Sequence, residues 1–271
     1  MADVSAIVRD LDAESDEVDA LVAELDEWEW ALPTPAPGWT IAHQIAHLAW
    51  TDDKALLALR EPERFVRESI DPSAVDENGD SVVDRSAAQG ASRPIAELLR
   101  SWRRRRAELS AALIAAPPGT RLPWFGPPMS VASMASARLM ETWAHGQDIA
   151  DVLGVRRSPT ARLWHVARLG VRTRDFAFAS HGLTVPDEEF RVELTAPDGG
   201  TWAFGPKEAT QRVTGDAHQF CLVVTQRAHV LDTELRAEGE QAATWLTIAQ
   251  AFAGPPGRGR AAERTTGRTV S

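Results

Sequence analysis

The residues with the clearest chemical potential are an acid and a histidine one helical turn apart. Glu141 and His145 stand four positions apart in a segment of helical character, so their side chains share one helix face and can converge on one point. A second segment of helical character, residues 39–48, carries a histidine that could complete the set. Two donors from one helix and one from another leave a coordination position open, which is typical of a catalytic metal site. The spacing therefore indicates a site for a divalent metal.

Composition limits the partners and the metal chemistry. The chain has 271 residues, 44% of them hydrophobic, and a formal net charge of -10, which predicts a globular core and argues against binding to nucleic acid or to an acidic membrane. The N-terminal stretch lacks a basic start and a long apolar run, so we expect no signal peptide, no membrane span and a cytoplasmic location. Because Cys221 is the only cysteine, nitrogen and oxygen must hold any metal.

Apolar periodicity predicts four helices in the N-terminal half of the chain. They cover about 4–31, 40–59, 94–115 and a segment that begins after residue 130. Thr40 and Ser130 are expected to cap the second and the fourth helix, and the polar stretch 62–92 is expected to be irregular. Four helices joined by proline-rich connections indicate a bundle.

The pattern changes towards the C-terminus. A fifth helix is predicted at 159–180, a β-hairpin at 190–205, and two more helices at about 216–230 and 240–252. The fold class is therefore mainly α with a small α+β domain. The predicted domains are a metal-binding four-helix bundle at 1–155, a helix plus an α+β C-terminal domain at 156–255, and a disordered tail at 256–271.

The chain resembles a known family at the residues that could bind metal. The motif Gly38-Trp39-Thr40 leading to His47-Leu48, followed by Glu141-x-x-x-His145, resembles the N-terminal domain of mycothiol-dependent maleylpyruvate isomerases in the DinB-like thiol-transferase superfamily. The segment after 185 resembles the C-terminal domain of those isomerases. The whole chain resembles an actinobacterial metal-binding group that is often labelled with a wyosine-base-formation domain name. The resemblance implies a DinB-like four-helix bundle, a C-terminal α+β cap, and His47, Glu141 and His145 as metal ligands.

The same resemblance implies a thiol-dependent enzyme. Zinc held by the three ligands and water could exchange the water for a thiol sulfur and lower the pKa of that thiol. The thiolate would add to a small electrophile and give a conjugate or an isomer. Mycothiol is the expected thiol, because the family uses it and because a composition without Tyr and rich in Arg indicates a GC-rich genome. The expected partners are the thiol and the electrophile, and the protein is expected to be a monomer or a homodimer.

Other functions fit the same residues. The three ligands could activate water in a hydrolase or a cyclising lyase of a biosynthetic pathway, or the metal could only brace a non-catalytic metal-binding or small-molecule-binding protein. Nickel, iron and manganese suit the same donors. The wyosine label implies tRNA modification, but the acidic charge and the absence of cluster-binding cysteines argue against that chemistry.

Five further residues could contribute to a site. His43 lies one turn before His47 and is more readily a neighbour of the metal than a ligand. Asp52 and Asp148 could orient imidazoles, although a solvated helix face is the simpler interpretation of both. In the C-terminal domain, His218 and Arg227 could reach a substrate carboxylate or thiol.

Overall fold

The computed structural model describes residues 3–69, 75, 81–257 and 259–263. The chain divides into two compact units, Met1–Arg157 and Ser158–Ser271. Most of the tail that was predicted to be disordered lies outside the described residues, which end at 263. In the part of the chain that the structure describes, every helix is too short or too polar to cross a membrane.

The first unit is a helical bundle. Its helices are α1 (Val4–Val22), α2 (Ile41–Arg60), α3 (Pro62–Glu68), α4 (Val82–Ala91), α5 (Ile95–Ala115) and α6 (Val131–Leu153). Helix α1 packs against α5 and α6, and α2 packs against the same two helices, so the four long helices close around one core. The predicted four-helix bundle is confirmed.

The core of the bundle is built from the apolar faces of its long helices. Val18 of α1, Ile45 of α2, Leu98 of α5 and Ile149 of α6 are buried in one cluster. Burying a side chain of this size stabilises the fold by roughly 1.5–3 kcal/mol. Because the contributions come from all four helices, the core fixes the positions of α2 and α6 relative to each other.

Two expectations about the bundle are wrong. Helix α1 ends at Val22 rather than near 31, and Trp28 beyond it is 64% exposed, so the continuing periodicity does not mark a buried face. The stretch 62–92 is not irregular throughout, since α3 and α4 lie within it. A Cβ added at Gly90 of α4 would lie 2.6 Å from the Cβ of Ala46 on α2, so α4 packs on α2 through small residues and not through an apolar stripe.

A closed loop at 33–40 sets the start of α2. Pro33 pairs with Thr40, and the N–H of Ile41 donates to the carbonyl of Leu32 over 3.2 Å. The N–H of Thr34 donates to the carbonyl of Trp39 over 2.8 Å. Thr40 occupies the N-cap position of α2, as predicted.

Helix α6 starts from a short hairpin. Strands β1 (Arg121–Leu122) and β2 (Met129–Ser130) pair in antiparallel fashion and enclose the proline-rich loop 123–128. The hydroxyl of Ser130 accepts from the N–H of Ser133 over 3.1 Å, which confirms the predicted cap of α6.

The second unit combines helices with a mixed sheet. Its elements are α7 (Leu163–Arg172), α8 (Arg174–Ser180), β3 (Phe190–Thr195), β4 (Thr201–Phe204), β5 (Gln211–Asp216), α9 (Ala217–Val224), β6 (Arg236–Glu238) and α10 (Glu240–Ile248). The sheet order is β4-β3-β5-β6, with β3 antiparallel to β4 and parallel to β5. The predicted hairpin is confirmed, whereas the single helix predicted at 159–180 is two helices separated at Thr173.

Candidate metal centre

Three side chains from two helices of the bundle converge on one point. The Oε2 atom of Glu141 lies 3.3 Å from Nε2 of His47 and 3.2 Å from Nε2 of His145. The donor atoms of the three residues all lie within 4.8 Å of one another. His47 comes from α2, while Glu141 and His145 come from successive turns of α6. The structure therefore brings together the three residues that were predicted as ligands.

The surroundings of Glu141 favour the ionised form of its carboxylate. Burial by itself raises the pKa of Glu141, but the hydrogen-bonding contacts with His145 and His47, together with the positive charge of these imidazoles when protonated, outweigh it and hold the pKa well below its usual value. The side chain of Glu141 is 23% exposed, while the histidine side chains are 9% and 11% exposed. An anionic oxygen thus stands between two imidazole nitrogens, at the partly open side of the cluster.

The donor set fits a divalent metal. Zinc ligands 2.0–2.1 Å from a tetrahedral ion lie about 3.3 Å apart, because the edge of a tetrahedron is about 1.6 times its centre-to-corner distance. The two separations from Glu141 to the imidazoles, 3.3 and 3.2 Å, match that edge. A charge-assisted N–H···O bond is typically about 2.7–2.9 Å, which is shorter. Two imidazole nitrogens and one carboxylate oxygen are also donors that zinc accepts.

A glutamine supports one of the two imidazoles. The side chain of Gln44 is fully buried; its Oε1 contacts Nδ1 of His145, and its Nε2 donates to Oγ1 of Thr34 over 2.9 Å. The sequence pattern did not mark Gln44 as a site residue. A signal was present, because most of its neighbours in α2 between 41 and 48 are apolar, and a polar side chain among them is expected to be buried and paired.

The other imidazole is supported differently. The Nδ1 atom of His47 is buried and has no hydrogen-bond partner among the described residues. The indole ring of Trp39 lies over both imidazoles, with its centroid 5.3 Å from that of His47 and 5.9 Å from that of His145. Its Nε1 donates to Oδ1 of Asp84 on α4 over 3.0 Å. Helix α4 therefore holds the ring that covers the imidazoles.

Aromatic side chains continue away from His47. The ring of Trp50 lies 6.1 Å from that of His47, and the ring of Phe125 stacks on Trp50 at 5.9 Å and 13°. Phe125 belongs to the 123–128 loop, which also packs on Phe65 of α3. The surroundings of the cluster on this side are apolar.

His43 has a structural task at the start of α2. Its Nδ1 atom lies 2.8 Å from Oγ1 of Thr40 and accepts from the N–H of Thr40 over 3.3 Å. This is the arrangement of a capping box with histidine in place of glutamate or glutamine. Among the described residues, the cluster with metal-binding geometry consists of His47, Glu141 and His145 without His43.

Among the described residues, the donor cluster includes none of the remaining candidates. Asp52 and Asp148 are 5% and 3% exposed, so the expectation of a solvated helix face is wrong for both. Asp52 accepts from Nε of Arg138 over 2.9 Å. His218 lies on α9, and Arg227 donates to the carbonyl of Thr225 over 2.7 Å.

Comparison with known proteins places the chain. Residues 11–150, which include all three donors, match the family model described as the mycothiol maleylpyruvate isomerase N-terminal domain. The chain belongs to this family. A second model, described as wyosine base formation, matches residues 186–238. The resemblance drawn from the motifs around His47 and Glu141 is thereby confirmed.

The chain is similar to two mycobacterial proteins and to two solved structures. Two proteins of Mycobacterium tuberculosis, from strains CDC 1551 / Oshkosh and ATCC 25618 / H37Rv, are both described as uncharacterised. Each is 57% identical to this chain over 260 residues, which cover 96% of this chain and 100% of the relative. Crystal structures of the mycothiol-dependent maleylpyruvate isomerase and of a histidine-to-alanine mutant of it match with a TM-score of 0.59 at 16% identity. They cover 87% of this chain and 93% of theirs, which establishes a shared fold.

Proposed function

We propose that this protein is a metal-dependent enzyme that activates mycothiol for transfer to, or for isomerisation of, a small electrophile. The observation that carries the proposal is the convergence of two imidazole nitrogens on one carboxylate oxygen. Membership of the mycothiol maleylpyruvate isomerase family supports the choice of thiol. The solved isomerases with the same fold are also named as mycothiol-dependent.

His47, Glu141 and His145 would hold the metal, for which zinc is our first choice. Bound there with one coordination position left open, zinc would lower the pKa of a thiol so that the thiolate is available at neutral pH. Glu141 supplies one negative charge and the two imidazoles are neutral as ligands, so the three residues leave a divalent ion with a net positive charge. The site therefore favours an anionic fourth ligand such as a thiolate.

A thiol nucleophile has to come from a cosubstrate. Cys221, the only cysteine, is fully buried on α9. Burial raises the pKa of its thiol well above the usual value, and the negative charge of Asp216 adds to that effect. A protonated, buried thiol does not attack a substrate. This supports a small-molecule thiol as the reacting group.

The aromatic surroundings favour one class of electrophile. The rings of Trp39 and Trp50 lie next to the imidazole of His47, and Phe125 extends the apolar surface. Such rings bind planar, mainly apolar molecules better than highly charged ones. Lys54, whose Nζ lies 5.9 Å from the ring centre of Trp50, is suited to one carboxylate. An activated alkene with at most one acidic group matches these features.

The first experiment compares the wild type with Glu141→Ala. Elemental mass spectrometry of tag-free protein reconstituted with zinc should give about one equivalent in the wild type and much less in the variant, since three-ligand zinc sites depend on each donor. Turnover of activated alkenes should require mycothiol and should be lost in the variant. Asp151→Ala is the matched control, because Asp151 lies on α6 outside the donor cluster.

Other results would redirect the assignment. If the wild type binds no zinc after reconstitution, the proposed centre is wrong. If turnover continues unchanged in thiol-free protein, the same ligands activate water and the enzyme is a hydrolase or a lyase. If zinc binds but no electrophile is converted with any thiol, a non-catalytic binding protein becomes the better description.

A further inference from the structure

A polarised chain of hydrogen bonds runs from the 33–40 loop to His145. The backbone carbonyl of Trp39 can only accept, and the hydroxyl of Thr34 donates to it over 2.9 Å. Because the proton of that hydroxyl is already used in this hydrogen bond, its oxygen can only accept, and it accepts from the amide nitrogen of Gln44 over 2.9 Å. The amide oxygen of Gln44 is thereby turned towards Nδ1 of His145, which has to be the donor.

We propose that Gln44 and Thr34 are positioning residues that fix the Nδ1–H tautomer of His145 and so keep its Nε2 lone pair directed at the metal. A neutral imidazole carries one N–H, so a donor at Nδ1 leaves Nε2 as the acceptor or ligand. The inference rests on the proposed metal centre for its purpose, but the direction of the hydrogen bonds follows from the Trp39 carbonyl alone. A backbone carbonyl cannot reverse its role, so the tautomer is set by the loop.

The residues of this hydrogen-bonded chain are buried, which makes their control of the His145 tautomer effective. Gln44 is 0% exposed and Thr34 is 9% exposed, so water does not readily replace either partner. A buried donor or acceptor that loses its partner is left with its full desolvation cost. The control acts on one imidazole, because Nδ1 of His47 has no hydrogen-bond partner among the described residues.

The first test is the zinc dissociation constant, measured by competition with a chelator. In Gln44→Leu we expect affinity to fall by about 10- to 100-fold, the usual effect of removing the partner of a metal-bound histidine. Gln44→Glu should stay near the wild-type value, because a carboxylate oxygen still accepts from Nδ1–H. Thr34→Val should lie between these two. His43→Gln is the control, since His43 neighbours Gln44 on α2 but serves the helix cap.

The second test is independent of metal. Nitrogen-15 NMR of the zinc-free wild type should find Nδ1 of His145 protonated in both the charged and the neutral ring. In Gln44→Leu the neutral ring should move its proton to Nε2, where Glu141 accepts it. If Gln44→Leu keeps Nδ1–H, or binds zinc as tightly as the wild type, the positioning role is wrong.

The two tests separate the two proposals. A wild type that binds no zinc but shows the expected tautomer would overturn the metal centre and leave the hydrogen-bonded chain intact. A lower melting temperature shared by the zinc-free and zinc-loaded forms of Gln44→Leu, with unchanged affinity, would show a role in stability alone and would also overturn the inference. If Gln44→Leu fails to fold, Thr34→Val, which removes only the outer partner, gives the same comparison.

Discussion

Two polar clusters join helices α2 and α6, and they differ in how the negative charge of the carboxylate is balanced. Asp52 and Arg138 form an ion pair of 2.9 Å, with side chains 7% and 2% exposed. In the second cluster the carboxylate of Glu141 faces two imidazoles at 3.2 and 3.3 Å and is 23% exposed. The first cluster joins a carboxylate to a guanidinium that is always charged, whereas the second assembles donors around one point.

The comparison separates a structural polar contact from a candidate metal site. Burial raises the pKa of Asp52, and the charge of Arg138 offsets part of that effect, so the pair balances a desolvation cost inside the chain. In the other cluster, by contrast, an imidazole is positively charged only while it is protonated. Under the proposed function, an added metal cation completes the cluster of the Glu141 carboxylate and the two imidazoles. Under the proposed function, residues on the same two helices stabilise the fold in one cluster and bind metal in the other.

The largest expected effect comes from breaking the ion pair. Asp52→Asn should lower the free energy of unfolding by about 3–5 kcal/mol, because it leaves the guanidinium of Arg138 buried without a counter-charge. Chemical denaturation of the zinc-free protein measures the change. Zinc stoichiometry in protein that remains folded should stay at the wild-type value.

A double replacement provides the control for this prediction. Asp52→Leu combined with Arg138→Met exchanges the pair for apolar side chains and should recover most of the lost stability, since buried ion pairs contribute little beyond their own desolvation. If the double variant is as unstable as Asp52→Asn, the loss comes from packing rather than from the unpaired charge.

Removing zinc should have an intermediate effect. At a free zinc concentration of about 100 times the dissociation constant, binding stabilises the folded state by about 2.7 kcal/mol. For a unit of this size, chelation should then lower the melting temperature by roughly 5–10 °C. Glu141→Gln should lose this difference, while Asp151→Asn should keep it. A chelator that lowers the melting temperature of Glu141→Gln as much as that of the wild type would contradict the comparison.

The smallest expected effect concerns the capping histidine. Burial lowers the pKa of His43, and the charge of Asp84 only partly opposes it. Between this lowered value and the unfolded value of about 6.5, the unfolded chain binds more protons, so stability rises with pH through that window and is lost as pH falls. A protonated His43 also cannot accept from the N–H of Thr40.

His43→Gln should remove this pH dependence and keep the cap, because glutamine at this position completes a capping box. The measurement is the free energy of unfolding of zinc-free wild type and variant at about pH 7 and about pH 5.5, on either side of the unfolded histidine pKa. The wild type should lose more stability on acidification than the variant. Equal losses would assign the pH dependence to other groups.

Much of the site was predictable from the sequence because it depends on helix periodicity. The spacing of Glu141 and His145 places both on one face of a helix whatever the rest of the fold does. The choice of His47 over His43 needed the family resemblance. The structure supplies the physical reason, because Nδ1 of His43 is used at the cap with Thr40. A threonine followed three residues later by a histidine is not a recognised capping-box signature, whereas a threonine followed by a glutamate at that position is.

The features that were missed depend on contacts between distant segments. Helix α4 carries one buried residue, Ala87, and packs through Gly90, so no apolar stripe marks it. The extension of α1 was overestimated because apolar residues continue in a segment whose Trp28 is exposed. The proposed positioning role of Gln44 depends on its contacts with the 33–40 loop and with α6, which only the folded structure brings together. Hydrophobic periodicity predicts single helices and does not predict contacts between segments that are distant in the sequence.

The burial of Cys221 has a consequence for the lifetime of the protein. Under the proposed function, the substrates are reagents that alkylate thiols, and an exposed cysteine would turn each encounter into a risk of self-inactivation. The thiol of Cys221 is fully buried, points at the carbonyl of Leu163 and has a pKa well above its usual value. The one sulfhydryl of the chain is therefore shielded from the reagents that the site would handle, and from mixed disulfides with the thiol cosubstrate.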